Sequence, residues 1–478
     1  MMVPRLIRFC SALLLLGIAL GCAVSTPYQP PAQALPSQWN SPAGAAPAAT
    51  PVTIVWDQWW PAFGSDELNR LAGAAVAGNH EIAAAQSRVL QARALVAASR
   101  ATLGPRLDAR AGTQRAWRSG DAAESLHELG VVASFDPDLS GANGSAVDAA
   151  AGRVRQREFA RESLGATLLV ELCNQYFRAL SASDRLAIAR ANIANAQALL
   201  KLLESRQQAG AVATLEVVRQ QGLLASLRSG LAPLQQQRQA AVAAVAVLTG
   251  RAPQGFDLAA GSLEAVRLPA LAAELPVQLL ERHPDVRQAE AELRIAHADV
   301  NAARSAWVPQ LRLGAALGLE SATLASLFNG ATVVSSLGAN LLAPLFDAGR
   351  IRAQLGAASA RQDEVTHLYR QAVLNALRDV EDSLGALRAL AEQSAQQLKV
   401  VEFAQSALTM AELRYRNGAT DYATVLDAQR VLLAAQDAQA VSHLARYSQT
   451  LALVRALGAG VPSGDRIAAM AQGSPLTR

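Results

Sequence analysis

The stretch NHEIAAAQSRVLQARALVAASRATLGPRL, Asn79 to Leu107, recurs in altered form as HPDVRQAEAELRIAHADVNAARSAWVPQL, His283 to Leu311. At an offset of 204 residues, Arg100, Pro105 and Leu107 fall on Arg304, Pro309 and Leu311, together with several alanines. Farther along, the offset becomes 208: AGAVATLEVV, Ala209 to Val218, lies over NGATDYATVL, Asn417 to Leu426, and Gly250 over Gly458. Self-similarity at a fixed period marks a duplicated structural unit. The change of offset places a four-residue insertion between otherwise equivalent elements.

Each copy has the same order of elements. A helix runs from Ser65 toward Pro105, and its counterpart from Leu275 toward Pro309. Two alternating segments follow in each copy. Leu107, Ala109, Ala111 and Thr113 share one face, while Arg106, Asp108, Arg110 and Gln114 share the other. Leu129, Val131, Ala133 and Phe135 alternate with Glu128, Gly130, Ser134 and Asp136. In the second copy Leu311, Leu313, Ala315, Leu317 and Leu319 alternate with Arg312, Gly314, Ala316, Gly318 and Glu320, and a fourth segment spans Val333 to Ala343. Such two-residue periodicity predicts strands of roughly ten residues with one apolar and one polar face. That length and pattern fit strands crossing a membrane with water on one side. A half-buried soluble sheet would show the same alternation.

The segment SFDPDLSGANGS, Ser134 to Ser145, imitates a calcium loop, with Asp136 and Asp138 alternating ahead of Gly141. A helix–loop–helix calcium site needs a bidentate Glu six residues beyond the glycine, and Val147 stands there. Under the 208-residue offset, DPDLSGAN overlies PLFDAGRI, so Gly141 falls on Gly349. Both segments leave a strand and enter an Ala-rich helix. Gly141 and Gly349 are therefore expected at strand-to-helix bends, and no metal is expected.

No proline occurs between Pro137 and Pro233, nor between Pro344 and Pro462. Each region predicts a helix of some 60 residues, a break at Gly210 or Gly418, then one of about 40, the longer reaching ~90 Å. Val373, Leu377, Val380, Leu384 and Leu387 form a heptad seam, as do Leu169, Cys173, Tyr176 and Leu180. Cys173 is thus expected to pack rather than react. Aromatics make up only 4% of a chain that is 51% hydrophobic, which suits long helices joined through small side chains.

The formal charge is +4 over 478 residues, carried by scattered arginines with Lys201 and Lys399 as the only lysines. No basic stripe points to nucleic acid. Three cysteines, Cys10, Cys22 and Cys173, cannot build a disulfide framework or a metal quartet. Arg5 and Arg8, the apolar run Ser11 to Leu20, and then Gly21-Cys22 read as an export signal too short for a permanent span. Gly21-Cys22 resembles a bacterial lipoprotein cleavage site with Cys22 as the acylated residue, although Ala19-Leu20 departs from the usual pair; ordinary cleavage nearby is the alternative. The Pro-, Ala- and Ser-rich segment that follows is expected as an extended tether. The implied division is residues 1–21 signal, 22–64 lipidated tether, 65–270 first repeat, 271–461 second repeat and 462–478 tail. The six histidines form no metal-ligand pair on one helical turn, and His283 and His297 are expected at the surface. There is no nucleophile elbow or phosphate loop, so no enzyme and no cofactor are expected.

Four strands cannot close a barrel, and an open sheet in lipid would leave backbone edges unsatisfied. Several chains must close it together, and three would supply twelve strands, an even number with cyclic symmetry.

Leu275 to Leu311, PLFDAGRIRAQL and LRYRNGATDYATVLDAQRVLLAAQ resemble the TolC family of outer-membrane efflux channels, in its lipoprotein branch, over nearly the whole mature chain. The resemblance implies a mainly α fold with membrane β: a trimeric 12-stranded β-barrel, four strands per chain, continued by a long periplasmic α-helical barrel. It also implies a lipid-anchored outer-membrane location and partnership with a periplasmic adaptor and an inner-membrane transporter. Small molecules such as drugs would pass without chemistry. Service in type I protein secretion, or as a pore-less trimeric scaffold, are the alternatives. The family's periplasmic gate maps here to Asp427 and Arg430 in TVLDAQR, with Thr424 where some members carry a second aspartate and Ala423 where bulkier residues help closure. Glu216 and Arg219 hold the equivalent first-repeat positions. A threefold acidic ring would attract cations. An ordinary surface Asp–Arg pair on a helix is the alternative.

Overall fold

The computed structural model of the protein describes residues 25–33, 35–36, 38–40, 56, 58–117, 124–269 and 282–460. The signal at 1–21, Cys10, Cys22, most of the tether, the helix start at Leu275 and the tail at 462–478 lie outside these residues. The chain is mainly helical with one small sheet. In order come α1 (Asp66–Gly78), α2 (His80–Ala101), β1 (Arg106–Ala116), β2 (Glu124–Phe135), α3 (Ala142–Gln208), α4 (Thr214–Ser229) and α5 (Leu231–Leu248). The second copy supplies α6 (Pro284–Ser305), β3 (Gln310–Ser321), β4 (Thr332–Leu342), α7 (Arg350–Arg416) and α8 (Tyr422–Ala456).

The repeat is exact in its boundaries. Helices α2 and α6 are both 22 residues long and sit 204 apart, while α3 and α7 are both 67 long and sit 208 apart. The four extra residues fall in the second hairpin, between the start of β3 and the start of β4. Glycines Gly141/Gly349, Gly210/Gly418 and Gly250/Gly458 all adopt positive φ, between 69° and 87°. An L side chain would be strained there, so the duplicated glycines fix the bends.

Two expected helices are shorter than the sequence suggests. The helix from Ser65 toward Pro105 is broken at Asn79, whose backbone is extended (ψ 123°). Its side-chain oxygen accepts from the N–H groups of Glu81 (2.8 Å) and Ile82 (3.2 Å), so Asn79 caps α2. Its amide also donates to the Leu248 carbonyl at 2.9 Å. Gly250 packs so close that an added Cβ would lie 2.2 Å from the Gly78 oxygen. The repeat places His283 where Asn79 stands. His283 is buried at 7% exposure and its Nδ1 accepts from the Asp285 N–H at 3.3 Å, so it is a cap rather than a surface residue. The second shortening separates α4 from α5 at Gly230. Pro233 has no N–H to offer residue 229 and its ring crowds that carbonyl, so the helix restarts. The second copy has no proline there, and α8 runs unbroken for 35 residues.

The strands form one antiparallel sheet in the order β1-β2-β3-β4. The register pairs Ala109 with Val131, Val131 with Leu317, and Leu317 with Ser335. One face is thus lined by Leu107, Leu129, Val131, Leu313, Leu317, Leu337 and their neighbours. The other carries Asp108, Arg110, Glu128, Arg312, Glu320, Ser336 and Asn340. Arg110 pairs with Glu128 at 2.8 Å, and Glu128 stands directly opposite Glu320. The outer edges of β1 and β4 have no strand partner among the described residues.

The exits from the sheet are built on carboxylates. Asp138 accepts from the N–H groups of Asn143 (3.0 Å) and Gly144 (2.7 Å), capping the first turn of α3. Asp347 does the same for α7 through Gly349 (3.0 Å) and Ile351 (2.7 Å). These bonds, that from Ile351 foremost, hold the Asp347 carboxyl below its ordinary range.

Chain contacts divide the protein into two compact units, and each draws on both copies. One comprises Met1–Gln33, Gln86–Phe159 and Arg287–Ala372 and holds the sheet. The other comprises Ala34–Ala85, Ala160–Val286 and Val373–Arg478. Its core gathers Trp59, Trp60, Phe63, Leu169, Cys173, Phe177, Val245 and Tyr447. Each large apolar side chain there contributes roughly 1.5–3 kcal/mol by burial. Cys173 is fully buried, and that burial pushes its thiol pKa up, as packing without reactivity requires. Trp59, Trp60 and Phe63 fall within the expected tether, yet they are core residues, because a short 3-10 turn at Trp60–Phe63 folds them in.

Burial is the main cause that lowers the His283 pKa, aided by Arg455 and opposed by Asp285 and Asp379. The unfolded chain therefore binds a proton before the folded one does. Stability contributed by neutral His283 is present above the ordinary value of 6.5 and is lost as pH falls below it. His283→Asn, which copies the first repeat, keeps a capping oxygen and should flatten the thermal stability profile between about pH 5 and 7, the window around the ordinary imidazole value. Differential scanning calorimetry across that range checks it, and an undiminished slope would clear His283.

Candidate functional site at the paired helix turns

The two long helices end in matching turns. Past α3, the Gly210 N–H bonds the Gln207 oxygen (2.9 Å) and the Ala211 N–H bonds that of Arg206 (2.9 Å). Past α7, Gly418 bonds Tyr415 (3.0 Å) and Ala419 bonds Arg414 (2.8 Å). These are paired C-terminal caps with a left-handed glycine, satisfying the last carbonyls of each helix.

The helices that restart differ. Helix α4 opens on Ala213, which has no side-chain cap. Helix α8 opens on Asp421, whose Oδ1 accepts from the Thr424 N–H (3.1 Å) and hydroxyl (2.7 Å). The bonds from Thr424, with the Arg219 charge nearby, hold the Asp421 carboxyl below its usual range. Thr424 is therefore committed to its own helix start. Asp427 and Arg430 lie on the same outward face, spaced by about one turn. Their charged atoms are 3.9 Å apart and their side chains 76% and 66% exposed. The chain's own packing leaves both available.

Behind this face, two tyrosines tie the copies together. Leu203, Val217, Tyr422, Val425 and Leu426 form a buried cluster. The Tyr422 hydroxyl donates to Gln220 Oε1 at 2.6 Å, and Gln220 Nε2 donates to the Ala196 carbonyl at 2.9 Å. The Tyr415 hydroxyl donates to Glu216 Oε2 at 2.5 Å, with its ring 5.3 Å from that of Tyr422. Glu216 is thus turned onto α7, while Arg219 stays exposed. At the 208-residue offset Glu216 and Arg219 correspond to Thr424 and Asp427, and the side chains are used differently: Glu216 accepts from Tyr415, whereas Thr424 caps its own helix. Tyr415, Asp421 and Tyr422 lie within the motif LRYRNGATDYATVLDAQRVLLAAQ but were not singled out in it, and neither was Gln220. A cleft of about 510 Å³ opens beside these ties, lined by Asn192, Arg206, Glu412, Gln429 and Leu432 among others. Among the described residues, no group of three or more His, Cys, Asp or Glu side chains is placed to hold a metal. No described helix is long and apolar enough to cross a membrane.

The family model described as outer membrane efflux protein matches residues 71–251 and 275–459. The chain belongs to the outer membrane efflux protein family, a family of channel proteins rather than enzymes. It is 37% identical over 457 residues to the pyoverdine export outer membrane protein OpmQ of Pseudomonas aeruginosa, covering 93% of this chain and 95% of that one. It is 30% identical over 462 residues to the cation efflux system protein CusC of Escherichia coli, covering 95% and 99%. Its fold matches the outer-membrane channel OprN with a TM-score of 0.85 at 28% identity, over 92% of this chain and 99% of that one. The open state of the Neisseria gonorrhoeae MtrE outer membrane channel gives 0.82 at 26% identity, over 92% and 99%.

Burial and then the Glu216 hydrogen bond and charge push the Tyr415 pKa up to about 12 from its ordinary 10.0. The folded state holds its proton longer than the unfolded one. Stability from this tie is intact below the ordinary value and is lost as pH rises from there toward the folded value. Amide hydrogen exchange at the α7–α8 turn should accelerate over that alkaline range in the parent. In Tyr415→Phe it should be faster already at neutral pH and lack the alkaline step. Equal exchange in both proteins would show the tie to be idle.

Proposed function

We propose that the protein is the outer-membrane channel of a tripartite efflux system, working as a homotrimer with a periplasmic adaptor and an inner-membrane transporter. The observation that carries this is the four-stranded sheet with one apolar face, one charged face and two edges without a strand partner among the described residues. Three copies joined edge to edge make a 12-stranded barrel with every backbone group paired. The apolar faces then meet lipid and the charged faces line water. The long helices continue the conduit on the periplasmic side. OpmQ and CusC name pyoverdine and cations as cargo of relatives. Pyoverdine is the first cargo to test here, since OpmQ is the more similar of the two. Cys22 is the acylation site in this reading, and residues 65–270 and 271–461 are the two repeats.

The gate is assigned to Asp427 and Arg430, with Thr424 fixing the start of their helix and Glu216 and Arg219 opposite on the first repeat. Three copies bring three Asp427 carboxylates toward one axis, where they favour cations and resist anions. Reconstitution in planar bilayers tests the channel: the purified protein should run as a trimer and conduct. A monomeric, non-conducting product would refute it. Asp427→Ala should raise single-channel conductance and lower cation preference. Palmitate should label the parent and not Cys22→Ala, and equal labelling would remove the lipid assignment.

A further inference from the structure

Residues 25–33 are more than a loose leader, because Thr26 and Tyr28 are seated on α6. The Thr26 carbonyl bonds His297 Nε2 (2.7 Å) and Asn301 Nδ2 (3.2 Å). Its N–H and hydroxyl both reach Asn301 Oδ1 at 3.3 Å, and Arg304 donates to the hydroxyl at 3.2 Å. Asn301 is itself buried at 8% exposure. Two residues on, the Tyr28 ring packs against Leu293, Ala296 and Val365. The Arg294 guanidinium lies over its face at 4.8 Å, and the His297 ring meets it edge-on at 5.8 Å. The Tyr28 hydroxyl is buried without a hydrogen-bond partner. That orphan group costs free energy, so the ring rather than the hydroxyl holds the segment.

The local sequence lowers the cost of docking. Pro27, Pro30 and Pro31 restrict the free segment to extended conformations. Thr26 precedes a proline and is biased to extended backbone, which leaves its carbonyl free to accept from the helix. Fewer conformers are lost when it binds.

We propose that Thr26–Tyr28 is a clip that holds the N-terminal segment on α6 independently of any lipid and so fixes where Cys22 enters the membrane. The second half of this statement rests on the acylation of Cys22. Thr26 lies four positions after Cys22, so the Cα of the acylated residue stays within ~14 Å of that of Thr26. The clip sits on the last turns of α6, which ends at Ser305 just before β3 starts at Gln310. The acyl chains are thereby confined to the rim where the sheet begins, at the headgroup level of the barrel's own wall.

A nitroxide on Gln29→Cys, an exposed position beside the clip, reports the state of the full-length trimer. The label should be immobilised in the parent background. Tyr28→Ala and Asn301→Ala should each raise the ratio of mobile to immobile label by about tenfold. Tyr28→Phe should leave the label immobile, since the hydroxyl has no partner. The same chain exported through an ordinary cleavable signal, and so never acylated, should also keep it immobile. A parent label already as mobile as in Tyr28→Ala overturns the clip. So does release by Tyr28→Phe, or release in the unacylated chain equal to that in Tyr28→Ala. An immobile label on a parent that takes up no palmitate supports the clip and rejects only the lipid reading.

Discussion

The backbone N–H and C=O groups on the free edges of β1 and β4 set the terms for the rest of the molecule. A sheet with an apolar face suits lipid, but lipid cannot satisfy those edges. The first hairpin pairs with the second, which settles the inner edges and leaves the outer two. On the trimer reading, each outer edge finds the opposite edge of a neighbour. A duplicated hairpin is the smallest way to give one chain two strands of each kind while keeping the edges complementary. The charged face adds a second constraint. Glu128 faces Glu320, and like charges directly opposite destabilise a sheet. Arg110 on Glu128 offsets one of the pair.

The duplication explains which features coincide and which do not. Bends repeat, because they depend on glycine at positive φ and on carboxylates that cap the next helix. Helix lengths repeat in the paired helices α2 and α6 and in α3 and α7. The four-residue insertion was tolerated in a hairpin loop, where added length costs little loop entropy. The copies diverge at three places: Asn79 against His283, the break at Gly230 against unbroken α8, and Ala213 against Asp421. The last lies at the turns that carry the proposed gate. One copy offers Glu216 inward to Tyr415, and the other presents Asp427 outward.

Much of this was legible from the residues. Alternation placed the first three strands and the span Val333 to Ala343 marked the fourth, and the long proline-free stretches placed α3, α7 and α8. Gly141, Gly349, Gly210 and Gly418 were read as bends or breaks, and all four adopt positive φ. The failures share a cause. Asn79 fell inside an expected continuous helix and His283 read as a surface residue, since a cap inside an apolar period leaves little mark in that period. Pro233 was visible, but its effect on Gly230 lies one turn upstream. The tether read as loose from composition alone, which weighs Pro, Ala and Ser and overlooks single aromatics. Trp59, Trp60, Phe63 and Tyr28 each pack on residues more than a hundred positions away.

The strength of closure at the turns follows from where each interaction sits. Asp427 and Arg430 are both largely exposed and 3.9 Å apart, a geometry worth ~0.3–0.5 kcal/mol on a helix surface and screened by salt. Such a pair holds nothing by itself; its charges are available to a neighbour. The Tyr422–Gln220 bond is buried, and breaking it would orphan a desolvated amide at ~1–3 kcal/mol. The internal ties therefore set the resting position of α8 against α4, while the exposed charges of Asp427 and Arg430 are left free of that packing. In the proposed channel, an adaptor that pulled these helices apart would work chiefly against the tyrosines, and a cation on the axis would act on Asp427 without disturbing them.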